Sequence, residues 1–245
     1  MVKAFFISDL HIDTVLDARE IEKQDHILRF LKDISRQATH LFIVGDLFDF
    51  WFEYKTVIPR VYFRFLIALK EMREAGTNIV YLAGNHDFAL GTFFPRELDI
   101  PVYLDDYTCT LEGKKFYLFH GDGLARKDSG YRFLKRILRN RFNQRLFGWI
   151  HPDVGFKLAR IISGSSRKYT NQLNWKRDEQ DYFDFARQKF KEGFDYVLMG
   201  HRHNPLVHEI DGHKYINLGD WIDKFSYAVF DGKMLQLEYY PLKEK

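Results

Sequence analysis

Short apolar runs that break off into clusters of polar residues alternate, over the first half of this chain, with longer segments of helical spacing. Lys3–Ile7, His40–Val44 and Asn78–Leu82 read as strands, the second with the continuous apolar character of a strand covered on both faces. Between them, Ile21–Arg36 carries Ile27, Phe30, Leu31 and Ile34 at helical spacing, and Val61–Ala75 is helical with Gly76 placed to stop it. Further strands are predicted at Lys115–Phe119, Asp195–Met199, Leu206–Ile210, Lys214–Asn217, Ser226–Phe230 and Leu235–Tyr239, with hairpin turns at Asp211-Gly212 and Asp231-Gly232. Alternation first and hairpins last predict an α/β fold of layered mixed sheets flanked by helices, with residues 1–245 forming one domain.

Five of the apolar runs lead straight into potential ligands: FFISDLH, FIVGDLFD, IVYLAGNHD, FYLFHGD and YVLMGHRH. In open α/β sheets the loops beyond the strand C-termini meet along one edge, where ligands bind. Five polar clusters delivered to one edge make a site.

Composition changes the picture in two places. Cys109 is the single cysteine, which excludes an intrachain disulfide and fits a reducing compartment. No run approaches the roughly 20 apolar residues of a membrane-spanning helix, and Asp9 cuts short the apolar start, so a buried first strand is expected rather than a secretory signal. A cytoplasmic location follows as the expectation. Charge is uneven: the whole chain is at +3, yet Ala125–Gln180 holds 14 Lys or Arg against 4 Asp or Glu, an excess of ten, so the rest sums to −7. This segment, about 125–180, is expected to form a basic and apolar helical cap inserted in the domain.

Carboxylate, imidazole and amide oxygen without thiolate suit Mn²⁺, Fe²⁺ or Zn²⁺ and disfavour a structural zinc site. A pair of cations about 3.5–4 Å apart needs an anion between them, and Asp46 is the natural bridge. Taken singly, the motifs say little: Asp9-x-His11 reads as a surface loop, Gly45-Asp46 as a strand-ending turn, and His120-Gly121-Asp122 is weak by itself. Their joint occurrence in this order decides for a metal site. His26, His40, His151, His208 and His213 lack partners at ligand spacing and read as surface or packing residues. The Trp51-Phe52 and Phe93-Phe94 pairs read as core, with a possible second use as walls of a cleft.

The pattern D-x-H, G-D-x-x-D, G-N-H-D, H and G-H-x-H resembles the calcineurin-like metallophosphoesterase superfamily. The resemblance implies two divalent cations, manganese first with Mg²⁺, Fe²⁺ or Zn²⁺ as alternatives. Asp9, His11, Asp46 and His203 would hold one; Asp46, Asn85, His120 and His201 would hold the other. It also implies that His86 stabilises the transferring phosphoryl group, with Asp87 orienting it, and that Asp49 is structural.

Longer strings, GDLFDFW, GNHDFALG, GHRHNP and LGDWIDKFSYAVFDG, resemble the branch of that superfamily that hydrolyses UDP-2,3-diacylglucosamine in lipid A biosynthesis. The substrate implied is a nucleotide-linked diacyl sugar. Substrate contacts implied are Asn85, His86, Asp128, Tyr131, Ser166, Thr170 and His201; Arg167 is added for its charge. Some members of that branch carry Arg where this chain has His86, so the position does not argue for the substrate.

A physical feature of the cap points the same way. From Tyr131 onward, Leu134, Ile137, Leu138 and Phe142 share one face of a helical wheel, with Arg132, Lys135, Arg136 and Arg139 on the opposite flank. Such a helix can lie on an anionic membrane surface, so peripheral association with the inner membrane is expected, and nucleic acid is not. An ordinary surface helix is the alternative for this segment alone. For the chain as a whole, a soluble phosphatase acting on another phosphoester and a non-catalytic scaffold stay open, although a scaffold has no need of seven intact ligands.

Overall fold

The computed structural model describes residues 2–125, 129–160 and 175–242. Eleven strands among them form two mixed sheets. The first has the order β11-β10-β1-β2-β3-β4: β1 (Ala4–Ile7), β2 (His40–Val44), β3 (Asn78–Leu82) and β4 (Val102–Tyr103) are parallel, while β10 (Ser226–Phe230) and β11 (Leu235–Tyr239) close it antiparallel. The second has the order β5-β6-β7-β9-β8. There β6 (Lys114–Phe119), β7 (Tyr196–Met199) and β9 (His213–Asn217) are parallel, and β5 (Asp106–Leu111) and β8 (Leu206–Ile210) are antiparallel edges.

Side chains alternate between faces along a strand, and that period sorts each strand into two cores. Ala4 and Phe6 of β1 point into the core between the sheets, where Phe6 stacks on Phe42 and Phe116 at centroid distances of 4.8 and 5.5 Å. Phe5 and Ile7 point the other way, against α1 (Ala18–Ser35) and α2 (Phe63–Glu74). The second sheet repeats the arrangement: Tyr117, Val197, Met199 and Tyr215 meet Tyr182, Ala186 and Phe190 of α5 (Trp175–Lys191). The outcome is a helix–sheet–sheet–helix sandwich, as the sequence predicted. Burying one such side chain stabilises the fold by about 1.5–3 kcal/mol.

Helix α1 begins three residues before the apolar spacing shows it, because Asp17 caps it by accepting a hydrogen bond from the Glu20 amide at 2.8 Å. Gln24, Ile27, Phe30, Leu31 and Ile34 face the core. Several elements escaped the pattern, among them β5, α5 and the two-residue β4. β5, DYTCTL, is a half-exposed edge strand of alternating burial, and α5 has an apolar stripe diluted by charge.

The cap departs from the sequence reading in one respect. The wheel that joins Leu134 to Phe142 spans two helices, α3 (Ser129–Leu138) and α4 (Arg141–Phe147). Asn140 breaks them, its side chain accepting from the Phe142 and Asn143 amides to cap α4. Residues 152–160 are also helical. Among the described residues no helix is long and apolar enough to cross a membrane.

Candidate metal centre

The seven expected ligands converge because five parallel strands end side by side. β1, β2 and β3 deliver Asp9 and His11, Asp46, and Asn85; β6 and β7 of the other sheet deliver His120, and His201 and His203. Backbone hydrogen bonds carry the pairing beyond the strands, from Asp9 N to Gly45 O (3.2 Å), His11 N to Asp46 O (3.0 Å) and Gly200 N to His120 O (3.1 Å).

These loops are strained. Among the described residues nine non-glycine positions have positive φ, and Asp9, His11, Asp46, His201 and His203 are five of them. A left-handed backbone is uncommon outside glycine and costs of order 1–3 kcal/mol where it is strained, so it persists where surrounding structure enforces it, often at functional sites. The space is equally constrained. A Cβ on Gly45 (φ +85°) would sit 2.3 Å from His120 Nδ1, and one on Gly200 would sit 1.9 Å from Ser8 Oγ.

The donor atoms fall into two adjoining groups. In the first, His11 Nε2 and His203 Nε2 are 3.2 Å apart, and Asp9 Oδ1 lies 3.3 Å from His203 Nε2 and 3.6 Å from His11 Nε2. In the second, Asn85 Oδ1 lies 3.0 Å from His120 Nε2 and 2.9 Å from His201 Nδ1, and His120 Nε2 is 3.3 Å from Asp46 Oδ2. Asp46 Oδ2 is also 3.7 Å from His11 Nε2, which places it between the groups. Ligand bonds of about 2.0–2.2 Å separate neighbouring donors by about 3–3.6 Å, so these spacings fit two cations.

Individual oxygens fit as well. Asp9 Oδ2 accepts from Ser8 Oγ (2.6 Å) and His201 N (2.8 Å), whereas Asp9 Oδ1, fully buried, has no hydrogen-bond partner among the described residues. That is the oxygen facing His11 and His203. A buried carboxylate oxygen left without a donor is costly, and a cation removes the cost.

One of the histidines is hydrogen-bonded from behind, and two others have a carboxylate nearby on that side. His120 Nδ1 donates to Val44 O at 2.9 Å, turning Nε2 toward Asp46 and Asn85. His11 Nδ1 is 3.5 Å from Asp49 Oδ1, and His203 Nδ1 is 3.7 Å from Asp220 Oδ2. Asp49 thus stands behind a ligand, in keeping with its structural reading. Asp220 was missed, although Tyr215–Asp220, YINLGD, is one more apolar strand running into a polar turn.

Asp87 does not have the expected role of orienting His86. Its carboxylate accepts from the amides of Gly84 (2.7 Å), Leu47 (2.8 Å) and Asp46 (3.3 Å) and from the Tyr81 hydroxyl. A buried carboxylate collects the donors nearest to it, and here these belong to the two loops carrying Asp46 and Asn85, which it locks together. His86 is oriented instead by Asp49 O, which accepts from its Nδ1 at 2.8 Å, while its amide donates to Asp46 Oδ1 at 2.9 Å.

The electrostatics follow from burial and crowding. Burial opposes the charges of Asp46 and Asp9, but nearby histidines, His120 foremost for Asp46 and His203 for Asp9, outweigh it and hold both carboxyls low. Burial likewise opposes a charge on His120, yet Asp46, Asp9 and Asp122 hold its pKa well above the ordinary value. Burial lowers His86 and His201 to about 4 and raises Asp87 to about 6, the last helped by Asp46.

Beside the ligands opens a cavity of about 240 Å³. Asn85, His86 and Tyr131 border it, Phe50, Phe52 and Phe147 wall one side, and Leu134, Ile137 and Leu138 of α3 roof it. Phe52 is therefore a cleft wall, while Trp51 and Phe94 are core. Of the sequence-predicted substrate contacts, the structure brings Asn85, His86, Tyr131 and His201 together; Asp128, Ser166, Arg167 and Thr170 lie outside the described residues.

Comparison with known proteins agrees with this geometry. Residues 2–205 match the family model of calcineurin-like phosphoesterases. The UDP-2,3-diacylglucosamine hydrolase of Porphyromonas gingivalis is 33% identical, covering 96% of this chain and 97% of its own. That of Haemophilus influenzae is 32% identical over 92% and 93%, and that of Photorhabdus laumondii 30% over 96% and 98%.

Proposed function

Because this chain belongs to the calcineurin-like phosphoesterase family and is a metal-dependent hydrolase, we propose that it hydrolyses the pyrophosphate of UDP-2,3-diacylglucosamine to UMP and 2,3-diacylglucosamine 1-phosphate, in lipid A biosynthesis. The observation that carries this substrate is the apolar cavity sharing Asn85 and His86 with the metal-ligand cluster. An acyl chain in it would bury hydrocarbon at about 25 cal/mol per Å², within reach of the phosphoryl site.

Asp9, His11, Asp46 and His203 would hold one divalent cation, and Asp46, Asn85, His120 and His201 the other, with Asp46 Oδ2 as the bridge. Bound there, two cations supply Lewis acidity at the phosphoryl oxygens and lower the pKa of water. The donor set suits manganese. Water adds to the phosphorus nearest uridine while the bridging P–O bond to the sugar phosphate breaks. A phosphate leaving group needs little help from a general acid. His86, its ring oriented by the bond from Nδ1 to Asp49 O, would lie beside the phosphoryl group and stabilise its charge. Asp87 acts at one remove, through the loops it joins.

The outer side of the cap supports a place at the membrane. Trp149 is 90% exposed, Phe142 66% and Phe133 64%, among Arg136, Arg141 and Arg145. Aromatic residues interleaved with cations suit an anionic lipid surface, and we assign the protein to the cytoplasmic face of the inner membrane.

The test is turnover of UDP-2,3-diacylglucosamine against its deacylated analogue in Mn²⁺ or Mg²⁺. Preference for the acylated compound is expected; equal turnover of the two would point to a soluble phosphoesterase.

A further inference from the structure

A second pocket, of about 330 Å³, adjoins the ligand cluster. His11 borders it from the cluster, and Asp13, Val15, Lys23, Arg160 and Ile222 complete its principal walls. It shares no lining residue with the apolar cavity, and its walls mix charged and apolar side chains where the cavity's are mostly hydrophobic.

Its two sides come from different parts of the fold. The floor is the loop after β1, pinned by Lys23 of α1, whose Nζ donates to His11 O at 2.7 Å and pairs with Glu20 at 2.8 Å. The roof is Arg160, from the last described turn of the cap. One terminal nitrogen, Nη2, donates to Thr14 Oγ1 at 2.9 Å and lies 3.7 Å from Asp13 Oδ1. Its Nε is buried and has no hydrogen-bond partner among the described residues. A guanidinium presents donors in a fixed fork that suits phosphate or carbonyl oxygens, and a buried donor without an acceptor is costly. The fork awaits an acceptor.

Resting on the substrate reading above, we propose that this pocket takes the nucleoside monophosphate half of the substrate, with Arg160 as its principal contact and Val15 and Ile222 flanking the base. The cavity walled by Phe50, Phe52 and Phe147 is predominantly apolar, with its polar residues at the border, and burying ribose hydroxyls or uracil amides against the apolar walls is unfavourable. The polar pocket has cations for phosphate, the carboxylate of Asp13 for sugar hydroxyls, and an apolar edge for a ring. A molecule apolar at one end and nucleotide at the other then lies across the ligand cluster in one direction only, its pyrophosphate beside His11 and His203. The cap thereby closes over both ends, α3 and α4 over the lipid and Arg160 over the nucleotide.

The test is calorimetric binding of UMP and, separately, of 2,3-diacylglucosamine 1-phosphate to the Mn²⁺-loaded protein. R160A removes the fork, and V15W fills the pocket from an exposed position on the other wall. Each is expected to raise the Kd for UMP by about tenfold or more, the loss of a charge-assisted contact, and to leave the Kd for the lipid product within about twofold. An unchanged Kd for UMP in both variants, parallel loss of both products, or wild-type protein that takes no UMP at millimolar concentration would each overturn the assignment. Failure of the two readings separates cleanly. Turnover of UDP-2,3-diacylglucosamine with UMP binding insensitive to both variants removes the pocket and keeps the substrate; UMP binding lost in both variants without that turnover does the reverse.

Discussion

Tyr131 donates a 2.6 Å hydrogen bond to the buried carboxylate of Asp122, which also takes Lys135 Nζ at 2.7 Å. Both donors belong to α3, and Asp122 follows the ligand His120 by two residues, so this carboxylate ties the roof of the apolar cavity to the metal-ligand loops. Burial would raise its pKa, but His120 and Lys135 lower it, so it stays charged and holds both donors. Removing the anchor in Asp122→Ala should loosen α3 over the cavity. We expect kcat/KM for the diacylated substrate to fall about 10–100-fold, the scale of a misplaced positioning element, with metal content unchanged by elemental analysis. Unaltered kcat/KM would remove Asp122 from this role.

Asp46 offers one oxygen to each neighbour set: Oδ1 to the His86 amide and Oδ2 to the space between the two donor groups. Asp46→Ala should therefore lose both cations together and reduce turnover by about a thousandfold or more, while circular dichroism reports an intact fold. Near-normal turnover in the folded variant would contradict a bridging carboxylate.

How much of this was readable beforehand depends on how local the physics is. Asp9, His11, Asp46, Asn85, His120, His201 and His203 were legible because each follows an apolar strand, and strand ends are fixed by a short-range pattern. The partners behind them were not. Asp220 supports His203 from a turn after β9, and Asp87 turns its carboxylate to loop amides rather than to His86; both depend on which loops meet in space. The break at Asn140 was hidden for a different reason, since helical spacing continues in register across a cap. The pocket under Arg160 joins residues nearly 150 positions apart, and no spacing rule reaches that far.

His86 and His201 have their pKa values lowered to about 4 by burial, against about 6.5 in the unfolded chain. Between those limits the unfolded state binds more protons than the folded one, so stability is full above about pH 6.5 and falls as pH drops toward 4. Each group contributes at most about 3 kcal/mol to this loss. In chelator-treated protein, urea midpoints measured from pH 7 to pH 4.5 should decline, and His86→Gln should flatten the decline. An equal pH slope in that variant would mean that His86 carries no such linkage.

Trp149, Phe142 and Phe133 are exposed on the cap and are not among the residues that line the cavity. Large apolar side chains left in water at these positions gain by entering a lipid interface, and Arg141 and Arg145 beside them each add about 1 kcal/mol near an anionic surface. The apolar part of that gain is independent of salt, and the cationic part is screened within about 10 Å at 0.1 M. Co-sedimentation with phosphatidylglycerol-containing vesicles should therefore weaken in two separable ways. Substituting Trp149 and Phe142 by Ser should lower vesicle binding about tenfold at low salt, and substituting Arg141 and Arg145 by Gln should remove most of its salt dependence. Neither change reaches the ligand cluster, so hydrolysis of a detergent-dispersed substrate should stay near wild type. Wild-type protein that remains in the supernatant with anionic vesicles would detach the cap from the membrane and leave its role to the cavity alone.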